Sequence, residues 1–330
     1  MNKKVLFFIV SISIGLALLA IVYSRIPVKE VLDVFDHASI PLVVRYIFIV
    51  SCIELLLVLR WKLILKAQNI FVPFHKLLMY HEIGYATGYL SPQAHIGGEP
   101  VKALCLKKHS ISFKKGISSI LIDKSMSVTT DAFFAFIGFI LLFINFSLSS
   151  QQKLIFLLVV LIPGLLILSF YYRIITQKPT LSKLFKFFRF NKINWLKKFE
   201  KEVVTVEKHV FDFFKYSKTT FLKAIIINII LWILMFMEYR TVLSMFGYSA
   251  SLTEIFLVLA LVAVSYSMPV PMALGVLEAG QVSVLGALGL NRAIGLAISI
   301  LIRTKDLIRT GLGLFFLCFV GIPWKRLFKK

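Results

Sequence analysis

The sequence predicts an all-α polytopic membrane protein with about six full crossings and two oppositely oriented re-entrant helical hairpins, an inverted-repeat architecture. Three observations carry this. The 330 residues have a mean hydropathy of +0.86 and are 58% hydrophobic, and apolar runs near the ~20 residues needed to cross a bilayer recur along the chain. The formal net charge of +22 is partitioned, with Lys and Arg dense in some loops and almost absent from others, the asymmetry that orients helices in a membrane. Finally, PQAHIGGE at 92–99 and PMALGVLE at 271–278 share a pattern: a constant offset of 179 residues aligns Pro92 with Pro271, Glu99 with Glu278, Gly116 with Gly295 and Lys124 with Arg303. Breakers and charges are costly at membrane depth, so their repetition at one spacing points to a paired central site.

The elements follow in order. Residues 5–23 form a retained first crossing rather than a cleaved leader, because the apolar run lacks a cleavage site. A short amphipathic stretch, 28–37, lies outside. Residues 41–59 return to the cytosol at Arg60, Lys62 and Lys66, with Arg60-Trp61 read as an interfacial anchor. The run 77–90 is too short to cross, and the segment after Pro100 carries Lys102, Lys107, Lys108, Lys114 and Lys115. A hairpin entering and leaving on the cytosolic side satisfies both the length and the charge. Non-helical backbone at that depth is tolerated where protein or a wet cavity surrounds it.

Residues 116–143 cross outward, 145–152 are uncharged, and 154–172 return. The stretch 173–218 holds twelve basic and four acidic residues, so it is placed in the cytosol. Residues 221–246 cross outward again. The short runs 255–268 and 276–290, broken at Pro269 and Pro271, form a second hairpin entered from outside, and 293–320 is the last crossing. The chain is thus expected to be one membrane domain: 1–40 as first helix and external stretch, 41–143 as repeat one, 144–219 as connection, 220–320 as repeat two and 321–330 as a basic tail. Both termini are expected in the cytosol.

Several classes are disfavoured. The loop-wise partition of charge argues against nucleic acid as the partner and for anionic lipid headgroups. Cys52, Cys105 and Cys318 are far apart and have no metal-ligand spacing. His81 and Glu82 adjoin and His95 lies in the first hairpin, but no zinc-protease, Walker or dinucleotide motif occurs. No catalytic set, metal or cofactor is expected.

The candidate site residues are Glu99, Lys102, Lys124, Asp131, Glu278 and Arg303. Each glutamate follows a Pro/Gly break, so it is suited both to opening a half-helix N-terminus and to exchanging a proton within the membrane. Lys124 and Arg303 sit in long apolar segments. They have two available roles, pairing with the adjacent Asp123 and Asp306 or facing a phosphate, for which an arginine fork is well shaped. Lys102 is placed for a helix-face salt bridge with Glu99 or for a headgroup contact. Asp131, two turns beyond Lys124, has threonine at its counterpart 310, and a structural and a functional ion pair remain equally open. The turns are assigned to Pro92, Gly97, Gly98 and Pro100 in the first hairpin and to Pro269, Pro271 and Gly275 in the second.

These residues resemble the flippase-like family that includes the transmembrane region of lysylphosphatidylglycerol synthase. The resemblance rests on Arg60-Trp61, Pro92-x4-Gly97-Gly98-Glu99-Pro100 with Lys102, Lys124 with Asp131, Pro269-Val-Pro271, Gly275, Glu278 and Arg303, and spans nearly the whole chain. Two positions depart from the pattern: Lys124 stands where an arginine is frequent, and Ala273-Leu274-Gly275 where a richer glycine run is usual. The resemblance implies translocation of an anionic phospholipid or a polyprenyl-phosphate-linked lipid across the cytoplasmic membrane. Lysyl transfer is not expected, because the chain ends at Lys330 without the synthase's soluble domain. Two alternatives stand beside this: an integral membrane enzyme modifying a lipid headgroup, with Glu99, His95 and Asp131 as its nearby candidates, and a non-catalytic partner of an envelope-lipid biosynthetic enzyme.

Overall fold

A computed structural model describes residues 3–36, 38–91, 97–145, 150–179, 182–183, 200–268 and 270–321. Pro92, His95, Pro269, most of the basic tail and part of the 173–218 segment lie outside the described residues. The described elements are helical. In chain order they are α1 (Lys3–Arg25), α2 (Val28–Phe35), α3 (Ile40–Ala67), α4 (Phe74–Tyr89), α5 (Gly98–Leu106), α6 (Phe113–Asn145), α7 (Ser150–Ile175), α8 (Glu200–Tyr216), α9 (Lys218–Met245), α10 (Leu252–Ser267), α11 (Val276–Ala287) and α12 (Arg292–Val320). Single 3-10 turns, Lys107–His109 and Pro271–Ala273, follow α5 and precede α11.

Helices α3 and α9 are long and apolar enough to cross a membrane, and α1 with α2 forms a further apolar pair bent by 81°. The bend falls at Pro27, whose missing N–H cannot continue α1. Helix α12 has the length to cross but carries Arg303, Lys305, Asp306 and Arg309 within two turns, so its interior is polar by composition. Helices α4 and α10 are 16 residues each, about 24 Å of rise against a hydrocarbon core of about 30 Å. The expected short hairpin arms are therefore present as short helices.

The chain forms two compact units. One comprises Met1–Leu55, Leu78–Cys105 and Trp232–Lys330; the other comprises Leu56–Leu77 and Leu106–Leu231. The first holds both hairpins and α12. Its core includes Leu243, Ile255, Val258, Leu277, Leu285, Leu296 and Ile298. The second is built around Ile64, Ile122, Met126, Val210, Phe213 and Ala224, with Tyr171, Phe214 and Phe221 packed edge to face.

Each hairpin closes through glycine. In α4–α5, a Cβ on Gly98 would lie 1.9 Å from the Gly84 carbonyl oxygen, so only glycine lets the returning helix approach this closely. In the second hairpin Gly275 has φ +72°, and a Cβ there would meet the Gly15 carbonyl of α1 at 2.2 Å. The preceding turn is strained: Met272 and Ala273 have φ of 58° and 48°, a left-handed conformation that non-glycine residues seldom adopt. Helix α10 starts with a full capping box between Ser251 and Glu254, and α12 with the Asn291 side chain accepting from the Ala293 N–H.

Candidate functional site

The first unit gathers its polar side chains along one face of α12. Positions 303, 306 and 309 recur every three residues and so share a helix face. Around them the two hairpins converge.

Arg303 is the first contact. Its Nε and Nη2 reach the two oxygens of Glu278 at 2.7 and 3.1 Å. Nη1 donates to the Tyr89 hydroxyl at 3.0 Å and to the Met272 carbonyl, and Nη2 donates to the Ala273 carbonyl at 3.0 Å. A guanidinium has five N–H donors, and all five are engaged. Two of them hold the carbonyls of the two strained turn residues. Arg303 therefore pins the second hairpin and joins it to Tyr89, at the end of α4. A phosphate would reach this guanidinium only by displacing one of these partners. The adjacent Asp306, considered as its partner from sequence, is bound elsewhere.

Asp306 is the point of convergence. It is 2% exposed, and its carboxylate accepts the Tyr85 hydroxyl from α4 at 2.6 Å and the Tyr266 hydroxyl from α10 at 2.5 Å. One donor comes from each hairpin. Next to it, Lys305 bonds Glu238 of α9 at 2.6 Å. Three residues on, Arg309 reaches Glu54 of α3 at 2.6 Å and Glu82 of α4 at 3.2 Å, with its guanidinium over the Tyr85 ring at 3.6 Å. His81 Nε2 lies 3.4 Å from the other Glu54 oxygen. Donor atoms of Glu54, His81 and Glu82 fall within 4.8 Å of one another, a spacing open to a cation. Arg309 already bonds both carboxylates, so the group reads as an ion-pair network. Away from this group, where the Gln281 backbone of α11 abuts Gly295 near the start of α12, Gln281 is fully buried, with neither amide atom hydrogen-bonded among the described residues. A buried amide without partners is costly, and water or a ligand's polar atoms would complete it.

The expected site residues distribute unevenly. Glu278 and Arg303 bond each other within this network. Glu99 pairs with Lys102 at 3.3 Å on α5, the helix-face option. Both glutamates lie in the first turn of a short helix, α5 and α11, where a negative charge suits the helix dipole. Lys124 and Asp131 are exposed on α6 and belong to the second unit. There the buried pair is a different one: Arg60, 4% exposed, takes both oxygens of Asp123 at 2.6 and 3.0 Å and also donates to Asn228. Trp61 is buried too, donating to Ser119 at 3.2 Å. The anchor reading of Arg60-Trp61 gives way to an internal lock, because Asp123 supplies the counter-charge that lets the arginine stay inside.

Glu54, Glu238 and Arg309 were not singled out from sequence, and Glu82 was noted only as the neighbour of His81, although a signal existed. Glu54 and Glu238 are lone carboxylates within apolar runs, and the charges of α12 repeat every three residues. Cys52, Cys105 and Cys318 are not joined to one another by disulfides.

An apolar helical bundle with paired charges held inside it defines an integral membrane protein. The chain belongs to the family described as the lysylphosphatidylglycerol synthase transmembrane region, whose profile matches residues 8–313. A UPF0104 membrane protein of Pyrococcus horikoshii is 24% identical over 310 residues, covering 88% of this chain and 90% of that protein. Another, from Methanothermobacter thermautotrophicus, is 30% identical over 139 residues, 42% of this chain and 41% of its own length. No solved structure matches the chain.

Proposed function

We propose that this protein is a lipid translocator of the cytoplasmic membrane, moving a lipid with an anionic, phosphate-bearing headgroup, and is not a lysyl transferase. The observation that carries this reading is Asp306, a buried carboxylate of α12 that accepts one tyrosine hydroxyl from each hairpin. Ionic groups inside membrane helices are expensive and mark pathways. Here they lie where two broken helices meet, the common location of a transported group. The bundle is read as six crossings and two hairpins of opposite orientation, with both termini cytosolic.

In this reading Arg303 and Glu278 fix the second hairpin, while Lys305 and Arg309 are the cations for the headgroup. Each is held by carboxylates, so a phosphate would enter by exchange of one anionic partner for another. The acyl chains would remain in lipid. The drive would be a gradient or the lipid's own distribution.

The test is translocation of a short-chain fluorescent anionic phospholipid in liposomes carrying the purified protein. The wild type should move it faster than protein-free liposomes, and Asp306→Asn and the double variant Glu99→Gln with Glu278→Gln should each be slower, with folding checked by thermal unfolding. Rates equal to wild type in both folded variants would remove the network from the mechanism. A mass change in extracted headgroups would favour the enzyme reading instead.

A further inference from the structure

The group formed by Glu54, His81, Glu82 and Arg309 is one positive charge short. Two carboxylates face a single guanidinium, so with a neutral imidazole the group carries one net negative charge. With His81 protonated it carries none. The imidazole is already in position, with Nε2 3.4 Å from Glu54 Oε2, an oxygen with no hydrogen bond among the described residues. All four side chains are mostly enclosed, at 8–16% exposure, so the imbalance is poorly screened.

Other elements packed here do not supply the missing charge. On α4, Tyr85 donates to Asp306 and stacks on Arg309. On α5, Lys102 is close enough to act on Glu54 but pairs with Glu99. On α12, Lys305 is committed to Glu238 and Asp306 adds a further negative charge.

We propose that His81, with Glu54 as its partner, binds the proton that couples this protein's lipid movement to a pH gradient. This rests on the transport reading above and names its coupling ion. The chemistry is exchange of partners. A neutral His81 leaves Glu54 to Arg309. A protonated His81 forms a charge-assisted bond to Glu54, which competes with Arg309 Nη1 for that carboxylate. Arg309 is then freer to accept a headgroup phosphate. One proton and one phosphate negative charge enter together, so the group ends with the one net negative charge it carried when His81 was neutral. Glu54 lies on α3, His81 on α4 and Arg309 on α12, so the exchange shifts contacts between the first hairpin and its two neighbours.

The experiment has two arms, both in a His209→Gln background. His209, on α8, has its pKa lowered by burial and by Lys115 and Lys208 against a smaller opposing effect of Asp212. Its contribution to stability is therefore present above the ordinary histidine pKa and is lost as pH falls. The contact proposed for His81 has the opposite sign: it is present at low pH and lost as pH rises.

In liposomes, an acid gradient should accelerate translocation of the short-chain anionic lipid several-fold, with proton movement registered by an internal pH dye. His81→Gln and Glu54→Gln should each abolish that acceleration. In detergent, the thermal midpoint should rise on acidification between about pH 8 and pH 5, and this rise should be absent from His81→Gln. Translocation that ignores the gradient, or a gradient response that survives in both variants, overturns the proton site and leaves the transport reading intact. If no protein translocates lipid, the transport reading fails. The detergent titration then decides alone: a rise confined to proteins that keep His81 supports the proton site, and its absence overturns it. Should His81→Gln not fold, Glu54→Gln, which keeps the side chain's shape, carries both arms.

Discussion

At the scale of single residues, the charges inside this protein divide by what holds them. Arg303 spends every donor on Glu278, Tyr89 and two turn carbonyls, whereas its counterpart by sequence offset, Lys124, is exposed on α6. The two should therefore respond differently to truncation. Arg303→Ala leaves Glu278 buried at 2% exposure with no counter-charge, and should cost about 3–5 kcal/mol. Lys124→Ala should stay within about 0.5 kcal/mol of wild type. Denaturant unfolding in detergent, followed by tryptophan fluorescence, measures both. The equivalence of these two positions in sequence was legible. Their different surroundings were not, because spacing records which residues correspond and says nothing of which partner each finds.

At the scale of elements, the hairpins show what glycine placement decides. The Pro-Gly-Glu pattern announced two turns, and Gly98 and Gly275 both sit where backbone meets backbone. Gly98→Ala should force α4 and α5 apart and lower stability by about 2 kcal/mol or more, as overpacking at a rigid contact does. Gly311, in the middle of α12, has nothing within 4 Å of its would-be Cβ. Gly311→Ala should raise stability by about 0.5–1 kcal/mol through helix propensity alone. Thermal unfolding of the pair separates a packing glycine from an unneeded one. The strain at Met272 and Ala273 could not be read from sequence, since neither residue type signals a left-handed turn. It is tolerated because Arg303, thirty residues further on, binds both carbonyls.

At the scale of the whole molecule, the orientation of the hairpins is the expectation that loop charge supports most directly. Ser110, beside the lysines after α5, and Ser249, in the uncharged loop before α10, are both exposed. After replacement of Cys52, Cys105 and Cys318 by serine, Ser110→Cys should react with an impermeant maleimide from the cytosolic face. Ser249→Cys should react from the opposite face. Labelling of both from one side would remove the inverted arrangement. The division into two compact units does not follow the two repeats expected from sequence: the first hairpin lies in the same unit as the second.

The sequence by itself determined that this is a helical membrane protein and where its short arms break, and it marked Glu278 and Arg303 as charges within apolar segments. Length, hydropathy, loop charge and proline–glycine punctuation are local properties, and each acts over a turn or a span of helix. Tertiary structure alone decided that Glu278 and Arg303 hold one another, that Arg60 belongs to Asp123, and that Glu54, His81, Glu82 and Arg309 form a group. In a medium of low dielectric a charge takes whichever opposite charge the packing brings near. That choice lies between helices up to 255 residues apart in the chain, from Glu54 to Arg309, and no local pattern encodes it.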